Sequence, residues 1–168
     1  MTESTNTDEG LLSAHSREEI DAWLKKYPED KKRSAVLAAL SAAQHQNEGF
    51  LTTELMDEVA EYLGLPNIQV YEVASFYSMY ETKPCGRHNV AICTNISCML
   101  MGSDTVVEYI EKKLGIKVGE STPDGRIFLK PEEECLAACA AGPMMQVDHV
   151  YHEKLTPEKI DKILDGLK

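Results

Sequence analysis

Apolar residues recur at three- and four-residue intervals through the first half of the chain, the period of helices that bury one face. Ser16-Arg17-Glu18-Glu19 has the capping-box pattern, in which Ser16 accepts from the amide three residues on and Glu19 reaches back. It predicts a helix to about Tyr27, closed by Pro28. The next helix is expected from about Asp30 or Ser34 to Glu48, with apolar residues Val36, Leu37, Leu40 and Ala43 and Gly49 as its stop. A third follows Thr52, places Leu55, Met56, Val59, Ala60 and Leu63 on one face, and ends at Gly64. Pro66 then opens a short helical or bent stretch through Ile68, Val70, Tyr71, Val73 and Phe76.

The pattern changes after Pro84. His88 to Cys93 is the short apolar run of a buried strand, and Ser103 is placed to cap a helix carrying Val106, Val107, Ile110 and Leu114 to Gly115. Pro123-Asp124-Gly125 is a turn, with a candidate strand from Ile127 to Leu129. Met144 to Val147 and Val150 to His152 form a hairpin around Asp148-His149, and Thr156-Pro157 starts a last helix with Ile160, Ile163, Leu164 and Leu167 inward. The expected class is α+β or α/β. A flexible tail (1–15) leads to a helical bundle (16–84), then to a small sandwich (85–168) with one mixed sheet of about four strands flanked by two helices. Tyr71, Phe76, Tyr77, Met79 and Tyr80 are dense enough to suggest an apolar face that docks, either on the second domain or on a partner protein.

Charge narrows the functional classes. The 168 residues carry 17 Lys plus Arg against 28 Asp plus Glu, net −11, which argues against nucleic acid as a partner because phosphate binding needs a basic footprint. Residues 1–84 hold 7 basic and 15 acidic side chains, so the front half supplies most of the excess. No apolar run approaches the roughly 18–20 residues of a membrane span, and the polar first ten residues do not read as a leader; direct membrane insertion is not expected, and a reducing cytoplasm is. No glycine pair forms G-x-G and no Gly-rich loop precedes Lys-Ser or Lys-Thr, so the usual dinucleotide and phosphate cradles are missing. His15, His45, His88, His149 and His152 are scattered and read as surface or satisfied core residues, and no catalytic array is expected.

In a reducing compartment cysteines bind metal or do redox work rather than form disulfides. Cys93 and Cys98 are spaced C-x4-C, Cys135 and Cys139 C-x3-C, and 36 residues separate the pairs. Both pairs fall in loops at strand ends, so four thiolates can converge. Zinc knuckles usually take the tighter C-x2-C, and a thiol–disulfide enzyme would need a reactive C-x-x-C. The wider loops favour a two-iron cluster in which each pair grips its own iron, with a zinc-stabilised interaction module as the alternative. Around Cys135-Leu136-Ala137-Ala138-Cys139-Ala140-Ala141-Gly142-Pro143 nothing bulky blocks close approach, and amides there can donate to the sulfurs. Carboxylates around such a cluster would hold its potential near that of low-potential ferredoxins, about −400 mV. Cys85 is the odd cysteine, outside both pairs.

These residues, taken in order, resemble a known family. His45 to Phe50 (HQNEGF), Phe76-Tyr77, the C-x4-C pair followed by Met101-Gly102, Gly119 to Gly125 (GESTPDG), and the C-x3-C pair with Gly142-Pro143 are similar to the family of 24-kDa subunits, the E subunits of bacteria, of respiratory NADH–quinone oxidoreductase (complex I). The resemblance covers roughly residues 17–168 and implies a thioredoxin-like 2Fe–2S ferredoxin domain behind the helical bundle. It also implies that Cys93, Cys98, Cys135 and Cys139 bind one 2Fe–2S cluster, and that the cluster exchanges one electron with the FMN of a partner flavoprotein subunit, which also binds NADH. The complex would place the chain at the cytoplasmic side of the inner membrane as a peripheral component. Related subunits serve NAD-linked hydrogenases and formate dehydrogenases as diaphorase components, and this remains the alternative within the class. One departure stands out: the family's second pair commonly reads Cys-Leu-Gly-Ala-Cys, and this chain has Ala137 where that glycine stands. If the position requires a positive φ, alanine there costs on the order of 1 kcal/mol.

Overall fold

The computed structural model describes residues 10–131 and 135–168, which fall into two compact units divided between Pro84 and Cys85. In the first, helix α1 (Ala14–Leu24) is followed by a 3-10 segment (Glu29–Ala35), α2 (Val36–Gln46), α3 (Thr53–Leu63) and α4 (Asn67–Phe76). The bundle closes on Ile20, Leu40, Leu51, Val59, Leu63 and Val70, all buried. Thr52 caps α3 through its Oγ1, which accepts from the Leu55 amide at 3.2 Å, and Gly64 ends that helix in the left-handed region.

The start of α1 differs from the expectation. Ser13, not Ser16, is the cap: its Oγ accepts from the Ser16 amide at 3.1 Å. Ser16 lies inside the helix, buried against α2. Ser13 satisfies the same three-residue rule one turn earlier, and buried Leu12 fixes the approach. Glu58 on α3 accepts from the amides of Leu11 and Leu12 and pairs with Arg17 at 3.1 Å. The segment expected as the end of a tail is thus pinned, and residues 1–9 of that tail lie outside the described residues. Helix α1 also stops at Leu24 rather than Tyr27, and the stretch after Pro66 is a regular ten-residue helix.

Of the aromatic residues expected on a docking face, Tyr80 belongs to the bundle's own core and donates to the Leu37 carbonyl at 2.7 Å. Buried Gln44 holds the same segment from both sides, donating to the Met79 carbonyl and accepting from the Glu81 amide. Tyr71, Phe76, Tyr77 and Met79 are left exposed, Phe76 by 80%.

The second unit runs β1 (His88–Ile92), α5 (Ile96–Leu100), α6 (Ser103–Leu114), β2 (Ile127–Leu129), a 3-10 turn (Cys139–Ala141), β3 (Met145–Val147), β4 (Val150–His152) and α7 (Pro157–Gly166). The sheet order is β2-β1-β3-β4, with β1 parallel to β2 and antiparallel to β3, and β3 antiparallel to β4. Alternate residues Val90, Ile92, Ile127, Leu129, Met145 and Val147 point to one face, where Val106 and Ile110 of α6 and Ile160 and Leu164 of α7 cover them. Tyr109 and Lys113 of α6 both reach Asp161 of α7, tying the helices at the rim. Asp148 and His149 both have positive φ, the two-residue hairpin geometry that matches strand twist. Ser103 does not cap α6: Gly102 occupies that position, and the Ser103 hydroxyl is wholly buried in the first turn. Helix α5 has no counterpart in the sequence expectation; its five residues start in the loop after Cys93 and carry Cys98.

His88 at the start of β1 gives the unit a pH dependence. Its Nδ1 lies 2.6 Å from Asp148 Oδ2, and its Nε2 is 2.9 Å from the Lys168 carbonyl. The hydrogen bond to Asp148 raises the His88 pKa above 6.5, partial burial opposes this, the Lys168 carbonyl and the Asp148 charge add to it, and Arg87 subtracts. A raised folded-state pKa stabilises the fold fully below the unfolded value, and the contribution is lost as pH rises through the folded value. His88→Gln should therefore cost about 0.5 kcal/mol at pH 5.5, a value reduced by the solvent around Asp148, and much less at pH 9. Urea titrations of both proteins at the two pH values check this.

Candidate metal centre

The fold brings the two cysteine pairs together because each follows a strand end. Cys93 is the residue after β1, and its amide donates to the Met144 carbonyl at 3.2 Å, extending the β1–β3 pairing by one step. Asn95 then caps α5, its Oδ1 accepting from the Ile96 amide at 2.8 Å, and this turn of helix carries Cys98 back towards Cys93. Cys135 and Cys139 lie in the loop between β2 and β3, which ends in a cis Gly142–Pro143 peptide. Cys93 and Cys98 are 2% and 1% exposed and pack with Leu136 and Met144, whereas Cys135 and Cys139 are exposed. None of the five cysteines is in a disulfide.

The two cysteine loops meet: Cys93 lies beside Cys98 of its own loop and Cys135 of the other, and Cys139 is near enough to Cys98 for its charge to act there. Burial pushes the Cys93 thiol up, but the amides of Leu136 and Asn95 and the thiols of Cys98 and Cys135 donate to its sulfur and bring it below the ordinary cysteine value. Burial together with the neighbouring Cys93 pushes Cys98 up to about 11, against the Met144 amide, and the charge of Cys139 adds to the rise. This is what crowding thiolates without a cation does: the first ionises readily and the second resists. The Ala137 amide donates to Cys135 Sγ at 3.3 Å. Leu136 belongs to the second loop and its amide serves a sulfur of the first, so the loops are locked across the site. Among the described residues no three Cys, His, Asp or Glu side chains meet closely enough to enclose one ion. The sulfur contacts run pairwise instead, Cys93 with Cys98 and with Cys135, while Cys139 acts on Cys98 through its charge alone.

Two small residues set the clearance. A Cβ at Gly142 would stand 2.8 Å from Met101 Sδ and 3.2 Å from Cys98 Sγ, so a larger residue there would require the Met101 side chain to move and would crowd Cys98. Ala137 has a φ of +58°, so the departure noted in the sequence is an alanine held in the left-handed region. Ala137→Gly should stabilise the protein by about 1 kcal/mol by removing that strain, with the Ala137 amide still available to Cys135. Denaturant unfolding of the two proteins would show it as a higher midpoint at unchanged slope.

The four cysteines and the open Ala/Gly loop are visible in the sequence. Asn95 as a helix cap is not among the sequence expectations, and neither are the amide donors Asn95 and Met144, which come from the first loop and from the entry to β3. The Asn-Ile-Ser-Cys run, an Asx cap before a short helix, is the signal that could have found the cap. Cys85 is not in either cysteine loop; it precedes the entry to β1.

Three comparisons bear on this geometry. The family model described as thioredoxin-like [2Fe-2S] ferredoxin matches residues 20–168. The E subunit of NADH-quinone oxidoreductase from Rickettsia conorii is 42% identical over 167 residues, covering 99% of this chain and 98% of that protein. A NADH-quinone oxidoreductase E subunit of Rhizobium meliloti, the one numbered 2, is 42% identical over 152 residues, covering 90% and 88% respectively. Among solved structures, an NAD+-reducing [NiFe]-hydrogenase in the air-oxidised state superposes with a TM-score of 0.63 at 20% identity over 75% of this chain. This chain corresponds to 22% of that hydrogenase chain, and the likeness shows the fold alone.

Proposed function

Since the chain belongs to the thioredoxin-like [2Fe–2S] ferredoxin family, and within it to the E subunits of NADH–quinone oxidoreductase, we propose that Cys93, Cys98, Cys135 and Cys139 hold its cluster and that it exchanges single electrons with the FMN of a partner flavoprotein subunit. The chain is an electron-transfer subunit of an oxidoreductase complex with one 2Fe–2S cluster. The observation that supports the ligand assignment is the meeting of the two cysteine loops, with Cys93 beside Cys98 and Cys135 and amides of Leu136 and Met144 serving sulfurs of the first loop. When bound, the cluster supplies a one-electron reservoir.

The chain's own residues do the rest. Burial of Cys93 and Cys98 keeps water from half of the site, while the exposed Cys135 and Cys139 face outward. The amides of Asn95, Leu136, Ala137 and Met144 present fixed positive dipoles to sulfur, offsetting part of the thiolate charge. Of these donors Met144 stands at the entry to β3, where the sheet holds it, and Asn95 caps α5. NADH and FMN belong on the partner in this reading. The complex would sit peripherally on the cytoplasmic side of the membrane; among the described residues no helix is long and apolar enough to cross one. The respiratory reading is preferred over a hydrogenase or formate dehydrogenase diaphorase because the NADH–quinone oxidoreductase relatives match over nearly the whole chain at about twice the hydrogenase's identity.

The test is anaerobic purification of the full chain with iron and sulfide analysis, an absorbance spectrum and low-temperature EPR after dithionite. The expected result is a brown protein with two irons per chain and a single S = 1/2 signal. A colourless protein holding one zinc, even after iron–sulfur reconstitution, would overturn the assignment. NADH-dependent appearance of the EPR signal on adding the flavoprotein subunit tests the partner.

A further inference from the structure

One wholly buried polar side chain of the second unit has no partner. Ser103 is 0% exposed, and among the described residues its Oγ meets no hydrogen-bond donor or acceptor. Buried hydroxyls are almost always paired, because an unpaired one forfeits the water it left. The topology places this one. Strands β1 and β2 are parallel and joined through α6, which therefore runs back against them. Its first turn stands at the end of β1, from which Cys93 follows. Ser103, Val106 and Ile110 are the buried stripe of α6, and the last two cover Val90 and Ile92 of β1. Ser103 is thus the end of the sheet-facing stripe nearest Cys93. Asp104, the next residue, lines one hollow with Ile92 and Thr94, the chain neighbours of Cys93. On the other side, the Gly102 amide donates at 2.9 Å to the carbonyl of Met99, the residue after Cys98.

We propose that the Ser103 hydroxyl donates a hydrogen bond to a sulfur that arrives with the bound cluster, and that this donor makes the cluster easier to reduce. The inference rests on the electron-transfer reading above and adds a group outside the four cysteines. No cysteine sulfur among the described residues is within reach of Ser103 Oγ, so its acceptor has to come with whatever the cysteines hold. A 2Fe–2S cluster brings inorganic sulfides, which accept hydrogen bonds, whereas a zinc ion on the same thiolates brings no acceptor. Taking up an electron makes the sulfurs more negative, so a proton held against one of them favours the reduced form. Residues 89–103 contain no Asp, Glu, Lys or Arg, which leaves a neutral donor as the polar group that this stretch of side chains can offer. Exposed Asp104 is unchanged in every variant below, so its charge does not enter the comparison.

The experiment uses the cluster-loaded full chain. Midpoint potentials are measured by EPR-monitored titration, and protons coupled to the reduced centre by ENDOR in H2O and D2O, for wild type, Ser103→Ala, Ser103→Thr and Val106→Ala. Ser103→Ala is expected to keep its iron and an S = 1/2 signal and to lose one strongly coupled exchangeable proton. It should also be reduced about tenfold less favourably, a fall of about 59 mV for a one-electron couple. Ser103→Thr keeps the hydroxyl and should keep both the potential and the proton. Val106→Ala, one turn along the same stripe, opens a cavity but removes no donor, so its unfolding midpoint should fall while potential and protons stay as in the wild type. An unaltered potential and proton pattern in Ser103→Ala, the result a trapped water on Ser103 would give, overturns the proposal and leaves the electron-transfer reading standing. An equal fall of potential in Val106→Ala makes the effect one of packing and overturns it too. The wild type alone is a further test: if D2O removes no strongly coupled proton from its spectrum, no hydroxyl reaches the cluster. A wild-type chain with zinc and no iron overturns the electron-transfer reading itself.

Discussion

Cys98→Ala should leave a protein that folds but loads less than about one tenth of the wild-type iron, with no S = 1/2 signal after reduction. Cluster binding is cooperative across its ligands, since thiolates crowded together without a cation repel and reprotonate. Burial and the neighbouring Cys93 push the Cys98 thiol up to about 11, the direction in which a cation at the sulfurs would oppose the crowding. Removing Cys98 takes away one donor and leaves the Met144 amide without its acceptor, while the side chain lost is small enough for Leu136 and Met144 to close over. Circular dichroism should be unchanged. If Cys98→Ala nonetheless aggregates, Cys135→Ala makes the same test from an exposed position. Cys85→Ser is the opposite prediction, with full iron and an unaltered signal, because Cys85 stands outside both loops. Normal iron in Cys98→Ala, or its loss in Cys85→Ser, would show that the ligand set is wrong.

The parts of this molecule legible in the sequence are those in which local and tertiary demands agree. Helix α3 is readable because Thr52, Gly64 and its apolar stripe are local signals that the bundle merely uses. The Asp148-His149 hairpin is readable although neither residue is glycine, because alternation on both sides leaves no other register. The four cysteines stand out by spacing. What escapes depends on neighbours distant in sequence. Ser16 and Ser13 are equal candidates for a cap until Glu58, on another helix, fixes Leu11 and Leu12. Ser103 looks like a cap until Gly102, with a φ of +91°, takes the turn required to leave α5. Helix α5 has too few residues to show a period, and its exposed Ile96 and Leu100 contradict the rule that apolar residues point inward. Ala137 is the informative exception: its positive φ follows from the family pattern and not from its own preference. Local rules fail where the chain departs from them for the site's sake.

Gly86→Ala should destabilise the protein by about 3 kcal/mol, lowering its melting temperature by about 6–12 °C. Gly86 sits just before β1, and its amide donates to Ser121 Oγ at 3.1 Å. A Cβ there would lie 2.5 Å from the Ile127 carbonyl carbon and 2.6 Å from the Phe128 nitrogen, both backbone atoms of β2. No rotamer relieves such a clash, because the obstacle is a strand held in register by His88–Ile127 and Val90–Leu129 pairing. Either β2 moves away from β1 or the entry to β1 moves away from Ser121. Both routes reach the metal centre, since β1 leads directly into Cys93 and β2 into the loop of Cys135 and Cys139. Iron loading should therefore fall along with stability, and cluster reconstitution should raise the melting temperature of the variant only in part. Gly166→Ala is the matched control: its Cβ would meet nothing within 4 Å at the end of α7, so it should be neutral or add a few tenths of a kcal/mol. Thermal unfolding and iron analysis of the pair separate the two cases. A Gly86→Ala protein as stable as Gly166→Ala would mean that β1 and β2 do not approach as closely as this fold requires.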